Sequence, residues 1–138
     1  MRLIALTLAL LTFCAKKEKL PDPGDYRAFI QGSAHLLCGK MVECYSGLYF
    51  SISPELRRQI TVEACEKAAL RDLDRKLARH TQSMKNLSVI CYQAILDSPC
   101  KEVGNAFFWN PSCFALRNES EKAFADVPMP NLFVLEKK

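Results

Sequence analysis

The feature that most constrains this fold is its cysteine content: 138 residues contain seven cysteines, an odd number. In an oxidising compartment an unpaired thiol is reactive, so a disulfide framework is expected to use an even number. Cys14 stands apart from the others, directly behind an uncharged run near the start of the chain. If Cys14 is consumed by another modification, six remain for up to three disulfide bonds: Cys38, Cys44, Cys65, Cys91, Cys100 and Cys113.

The first residues predict export. Residues 3–13, LIALTLALLTF, form an uncharged run behind the single charge of Arg2. The run has the length of the apolar region of a secretory signal peptide, and it is shorter than the roughly 20 residues of a membrane-spanning helix. We therefore expect residues 1–13 to be a signal peptide that is removed.

The end of this run resembles a bacterial lipobox, after which a signal peptidase cuts and the cysteine is lipidated. The motif is LLTFC, Leu10 to Cys14. The usual pattern has a small residue before the cysteine, where this chain has Phe13, and spirochaetal lipoproteins are a class with a relaxed lipobox. With its lysine-rich start and its spaced single cysteines, the chain is similar to the small cysteine-rich helical lipoproteins of leptospiral spirochaetes.

The resemblance implies a location. Cys14 would carry the lipid and become the first residue of the mature protein, held in the membrane by several acyl chains at about 0.8 kcal/mol per buried methylene. The protein would belong to the cell envelope, in the outer membrane, on either its surface or its periplasmic side. The protein would then contact the membrane through its N-terminal lipid.

The rest of the chain divides into three parts. Residues 14–24 are polar and proline-containing and predict a tether, residues 25–126 a helical domain, and residues 127–138 an extended tail. The first helix is expected from about Asp25 to Tyr45, because apolar residues recur there at three, four or seven positions. Gly32 and Gly39 are seven apart on this helix, which would permit close approach of a neighbouring helix.

The second helix is predicted to be long and central. Ser53 is a typical N-cap, Pro54 suits the first helical position, and apolar residues continue in two adjoining stripes to about Arg79. A helix with two such stripes packs against two neighbours.

Two further helices have clear boundaries. Thr81 or Ser83 can cap a third helix that ends near Asp97, and Asn110 with Pro111 begins a fourth. The fold class is therefore all-α: an irregular antiparallel bundle of about four helices braced by disulfides, with the three longest running up, down and up.

Helix register limits the disulfide pairing. At about 1.5 Å rise per residue, Cys38 and Cys65 come level on the first two helices, which favours a bond between them. Cys44 and Cys100 both fall near the upper end, and this pairing leaves Cys91 for Cys113. A local loop closed between Cys100 and Cys113 is the competing pattern.

Catalytic, cofactor and metal sites find little support. There is no C-x-x-C pair, and His35 and His80 lack the usual metal-ligand spacing. Ser46 is not part of a G-x-S-x-G elbow. A net charge of +4 is interspersed along the chain, which disfavours a nucleic-acid partner. We expect no enzyme activity, no cofactor and no metal.

Aromatic residues give the best candidate for a binding site. If the first helix rises from the membrane tether, the loop after it and the segment before Asn110 meet at the far end. The six residues are Tyr45, Tyr49, Phe50, Phe107, Phe108 and Trp109. Exposed, they would form an anchor for a protein partner; buried, they would close the top of the helical core.

Several functions remain open on this basis. The leading one is a lipid-anchored, non-enzymatic envelope protein whose helical module binds an envelope or host protein or has a structural role. The alternative is an assembly factor similar to pilotins, which would bind a partner helix in an apolar groove between helices. A hydrolase would need a pocket joining a histidine to a serine and a carboxylate. A soluble carrier of the odorant-binding type would need a C-x-x-x-C step, which is absent.

Overall fold

The computed structural model describes residues 19–58 and 60–127, all of whose regular elements are helices. The prediction of an all-α, disulfide-braced bundle is confirmed. The predicted signal peptide, Cys14 and the tail from residue 128 onward lie outside the described residues, as do the side chains of Tyr49 and Phe50.

The first helix, α1, has the expected bounds, Tyr26–Tyr45. The Asp25 side chain caps it by accepting a hydrogen bond from the backbone N–H of Ala28 at 3.0 Å, as aspartate does at many helix starts. A 3-10 helix, Ser46–Ser51, follows directly.

The prediction of a long second helix that continues to Arg79 is wrong. The chain instead forms three short helices, α2 (Pro54–Arg57), α3 (Val62–Ala69) and α4 (Leu73–Leu77). Of the residues in these helices whose side chains are described, only Leu73 is buried, so this stretch is peripheral rather than central.

Two polar residues break the expected helix. The Thr61 hydroxyl accepts a hydrogen bond from the Ala64 N–H at 3.1 Å and so begins α3 as a new helix. Asp72 has a φ of 54°, in the left-handed region that ends right-handed helices. The Lys76 ammonium also donates a hydrogen bond to the Ala69 carbonyl at 2.9 Å. This bond gives a partner to one of the carbonyl groups that the end of α3 leaves without a hydrogen bond inside the helix.

Two of the last three helices follow their sequence signals. Helix α5, Gln82–Asp97, is capped by Thr81, and α7, Pro111–Ala123, is capped by Asn110 with proline in its first turn. Between them lies an element that was not predicted, a 3-10 turn over Cys100–Glu102 leading into the short helix α6, Val103–Trp109.

Helix α5 is the centre of the bundle and packs against both α1 and α7. It runs parallel to α1, because the Tyr26 hydroxyl at the start of α1 lies 3.2 Å from the Ser88 hydroxyl on α5 while Cys44, near the other end of α1, is bonded to Cys100. It runs antiparallel to α7, because the Ser83 hydroxyl donates to Glu119 near the end of α7 at 2.7 Å.

Three disulfide bonds join these elements. They are the three pairs favoured by helix register, and Cys100 is not bonded to Cys113. One bond ties α1 to α3, one ties the end of α1 to the turn before α6, and one ties α5 to α7: Cys38–Cys65, Cys44–Cys100 and Cys91–Cys113.

The buried core formed by the described residues is small. One cluster surrounds the α5–α7 disulfide and contains Ile95 and Val103. A second forms where Leu20, Phe29 and Leu96 meet. Because few apolar residues are buried, the disulfides supply a substantial part of the stability, as they do in small disulfide-rich domains.

Part of the predicted tether packs against the helices. Leu20 is buried against α1 and α5, and a Cβ atom placed on Gly32 would lie 2.5 Å from Cγ of Pro21. Gly32 therefore permits close approach of this N-terminal segment, whereas the expectation was a neighbouring helix. Gly39 has no neighbour within 4 Å of such a Cβ, so it serves no close contact.

Candidate functional site

An aromatic patch lies at the end of α6 and the start of α7, and we define it as Phe107, Phe108, Trp109 and Phe114. Their exposed fractions are 48%, 52%, 77% and 47%, respectively. The rings of Phe107 and Phe108 meet edge to face at 5.1 Å between centroids. Large aromatic groups exposed together mark interaction surfaces in soluble proteins.

The position of the patch follows from local structure. Fully buried Val103 fixes the start of α6 to the core, and the Cys44–Cys100 bond holds the turn just before it against the end of α1. Asn110 then ends α6 and caps α7, its side chain accepting a hydrogen bond from the Ser112 N–H at 3.0 Å. The helix is thus anchored at its beginning, and its last turn projects its aromatic side chains outward.

The structure brings together only part of the six-residue aromatic set. Phe107, Phe108 and Trp109 are exposed, which is one of the two alternatives left open by the sequence, so they do not close the core. Tyr45 reaches the same end of the bundle but packs partly buried against the core cluster, where its hydroxyl oxygen lies 3.6 Å from a Cβ placed on Gly104. Tyr45 is therefore not part of the patch.

Sequence reasoning missed two residues of the site, Phe114 and Arg117. The guanidinium carbon of Arg117 lies 5.2 Å from the ring centroid of Phe114 and 5.9 Å from that of Phe108. A cation over aromatic faces is attracted by the ring quadrupoles. The sequence signal that could have identified them is the i, i+3 spacing of Phe114 and Arg117, which places both on one face of the helix predicted to begin at Asn110.

An apolar cleft of about 300 Å³ opens beside the patch. Leu37 and Met41 on α1, Ile95 on α5 and Leu116 on α7 form its walls, and Phe107 forms part of its rim. The Cys91–Cys113 bond lies among its lining residues. The cleft and the patch therefore form a continuous surface that shares Phe107.

The two histidines have structural partners. His35 is exposed and pairs with Glu66, which joins α1 to α3. The Nδ1 atom of His80 lies 2.8 Å from the Tyr26 hydroxyl, and its ring contacts Phe124 edge-on. Burial, with smaller effects of Lys85 and Lys76, lowers the pKa of His80, which favours a neutral ring in this packing role.

The Tyr26 hydroxyl beside His80 is not freely accessible as a nucleophile. The Tyr26 hydroxyl lies between His80 and Ser88, and the buried Ser88 hydroxyl donates to the Met84 carbonyl at 2.8 Å. Burial raises the pKa of Tyr26. This chain of hydrogen bonds ends on backbone and has no carboxylate partner among the contacts of the described residues, unlike the arrangement of hydrolytic triads.

The described ranges contain no group of three histidine, cysteine, aspartate or glutamate side chains that could hold a metal ion.

No helix within residues 19–58 and 60–127 combines the length and the apolar character needed to cross a membrane.

Comparison with known proteins identifies no similar protein. No family model matches the sequence, and neither a curated protein nor a solved structure matches it significantly.

Proposed function

We propose that this chain is a non-enzymatic, lipid-anchored protein of the cell envelope that presents a disulfide-braced helical module for protein binding. The observation that carries the proposal is the aromatic patch. Its tryptophan and phenylalanines, together with an arginine, are residue types enriched in protein interfaces, and tryptophan and arginine are common among the residues that dominate the binding energy. The partner class is an envelope or host protein.

The rigidity of the patch supports this function. Val103 and the Cys44–Cys100 bond hold α6 before a partner arrives, so the backbone loses little conformational freedom on binding. Preorganised surfaces of this kind gain affinity because less ordering accompanies association. An enzyme is not favoured, because His35 and His80 are both engaged in contacts between structural elements.

One observation favours the second candidate function, a pilotin-like assembly factor. The cleft between α1, α5 and α7 is apolar and adjoins the patch. A groove of this composition is what an amphipathic partner helix requires.

The anchoring half of the proposal is tested by intact mass spectrometry of the native protein. We expect a mature chain that begins at acylated Cys14 and enters the detergent phase when membranes are extracted, because several acyl chains hold a protein stably. Cys14→Ala should abolish acylation. Phe13→Ala, which restores the small residue of the usual lipobox, should be processed at least as well as the wild type. A mature N-terminus elsewhere would refute the anchor.

The binding half is tested with a photo-crosslinking amino acid placed at Trp109 in living cells, and at exposed Lys67 on α3 as the control position. We expect a specific adduct from position 109 and none from position 67. The purified adduct partner should then bind wild-type protein, and Phe108→Ala with Trp109→Ala should weaken that binding more than tenfold, as loss of central aromatic contacts does.

The matched control for the patch is Ile90→Ala, since Ile90 is another exposed apolar residue, on α5, with 56% of its surface accessible. It should leave binding unchanged, and circular dichroism should report the same helix content for all variants. Equal loss of binding in the Ile90 and Trp109 variants would contradict a specific role for the patch.

A further inference from the structure

The cleft beside the patch has the properties of a small-molecule site. Its volume of about 300 Å³ is at the lower end of the range of ligand pockets in proteins. Its walls come from different helices that disulfide bonds hold together, so the space is preformed. A protein could bind to Phe108 and Trp109 without entering the cleft. The cleft can therefore have a role separate from that of the patch.

Two polar side chains of the cleft lie on one side, apart from Tyr92 on α5. Arg117 and Ser120 are three residues apart on α7, hence on the same helix face, and both belong to its lining. Arg117 contributes the only ionised side chain to the lining formed by the described residues. The opposite walls, built from Leu37, Met41 and Ile95, are apolar.

The positive charge of Arg117 is not neutralised within the described part of the chain. Its neighbours are the rings of Phe108 and Phe114, and no carboxylate of residues 19–58 or 60–127 forms an ion pair with it. Contact with the ring faces leaves the N–H donors of the guanidinium available. Such a group at the edge of an apolar cavity favours an anionic ligand.

We infer that the cleft binds a single-chain amphiphile, with the apolar chain between Leu37, Met41 and Ile95 and the anionic head at Arg117 and Ser120. At about 30 Å³ for a water-sized group, the cleft holds roughly ten such groups. A carboxylate with a chain of this length, decanoate, is therefore the probe. The same chemistry occurs in free fatty acids and in the acyl chain of an anionic lysophospholipid.

The test is titration calorimetry on the full chain carrying Cys14→Ser, which removes any acyl chain of its own. Decanoate should bind with one-to-one stoichiometry below the concentration at which it forms micelles. Arg117→Gln should weaken decanoate binding at least tenfold but leave the weaker binding of uncharged decanol unchanged. Arg71→Gln, which alters an exposed arginine outside the cleft, should change neither affinity.

A second variant separates the apolar wall from the charge. Met41→Trp enlarges a wall side chain that is 36% exposed and should block decanoate and decanol alike. Tighter binding of decanoate than of lysophosphatidylglycerol would assign a free fatty acid, and the reverse order would assign a lipid. Absence of saturable binding, or equal decanoate affinity in Arg117→Gln and wild type, would overturn the inference without affecting partner capture by Phe108 and Trp109.

Discussion

Replacement of Cys91 and Cys113 together by alanine is expected to lower the free energy of unfolding by about 4 kcal/mol, as measured by denaturant titration followed by circular dichroism. The bond closes a sequence separation of 22 residues, and restriction of the unfolded chain by such a loop contributes about 3 kcal/mol. The two cysteines are also only 3% and 5% exposed. Losing their sulfur atoms leaves unfilled space in the core cluster, which adds about 1 kcal/mol.

The Cys38–Cys65 bond is the matched control, because its sequence separation of 27 residues is nearly the same. Cys65 lies on the peripheral helix α3 and is only partly buried. Cys38 is 3% exposed, so the double alanine variant at Cys38 and Cys65 should lose the entropic part, about 3 kcal/mol, and the packing of one buried sulfur atom instead of two. If chain entropy acted alone, the longer loop would give the larger loss. Equal or reversed losses would contradict the packing contribution of Cys91 and Cys113.

Phe29→Ala is expected to cost about 3 to 5 kcal/mol of unfolding free energy. The Phe29 side chain is fully buried, and its ring stacks between Tyr26 at 5.7 Å and Tyr92 at 6.1 Å between centroids. It also holds Leu20 and Leu96 together in the second core cluster. Truncation would leave a cavity at the contact between α1 and α5.

Trp109→Ala is the control for this prediction, because it removes a larger aromatic ring that is 77% exposed. It should change the unfolding free energy by less than about 0.5 kcal/mol, as surface substitutions do. A comparable loss in both variants would show that the patch belongs to the core, and the proposed binding role would then lose its basis.

Much of the fold could be predicted because its helix ends carry local signals. Asp25, Thr81 and Asn110 each accept a backbone hydrogen bond at the start of the helix that follows, and short polar side chains at these positions act independently of tertiary contacts. The disulfide pairing followed from helix register, because the elements that carry the cysteines run up, down and up as expected, even where the second one is broken.

The breaks between α2, α3 and α4 could not be predicted from apolar periodicity. Thr61 and Asp72 fit the middle of a long polar-faced helix as well as its ends, and the choice depends on tertiary contacts. Arg27 on α1 pairs with Asp74, just beyond the left-handed Asp72. This pairing and the Cys38–Cys65 bond fix the path of the chain, and neither is a local signal.

The candidate site was predictable only in part for a similar reason. Phe107, Phe108 and Trp109 stood out as an aromatic run, but their exposure depends on α6, a helix of seven residues with no side-chain cap. The role of Arg117 required the position of α7 relative to the Phe108 ring. Clefts between helices arise from how helices pack, and a sequence pattern does not contain that information.

If the chain is anchored at Cys14 as proposed, the contact between Pro21 and Gly32 shortens its reach. Leu20, which is buried, follows Cys14 by six positions, and a fully extended chain of this length spans about 20 Å. Helix α1 with its 20 residues is about 30 Å long. The N-terminal segment also meets the domain on its flank, in the first third of α1. A domain held this closely would stay within a shallow layer above the lipid headgroups. A partner would therefore have to come to the bilayer surface to be bound.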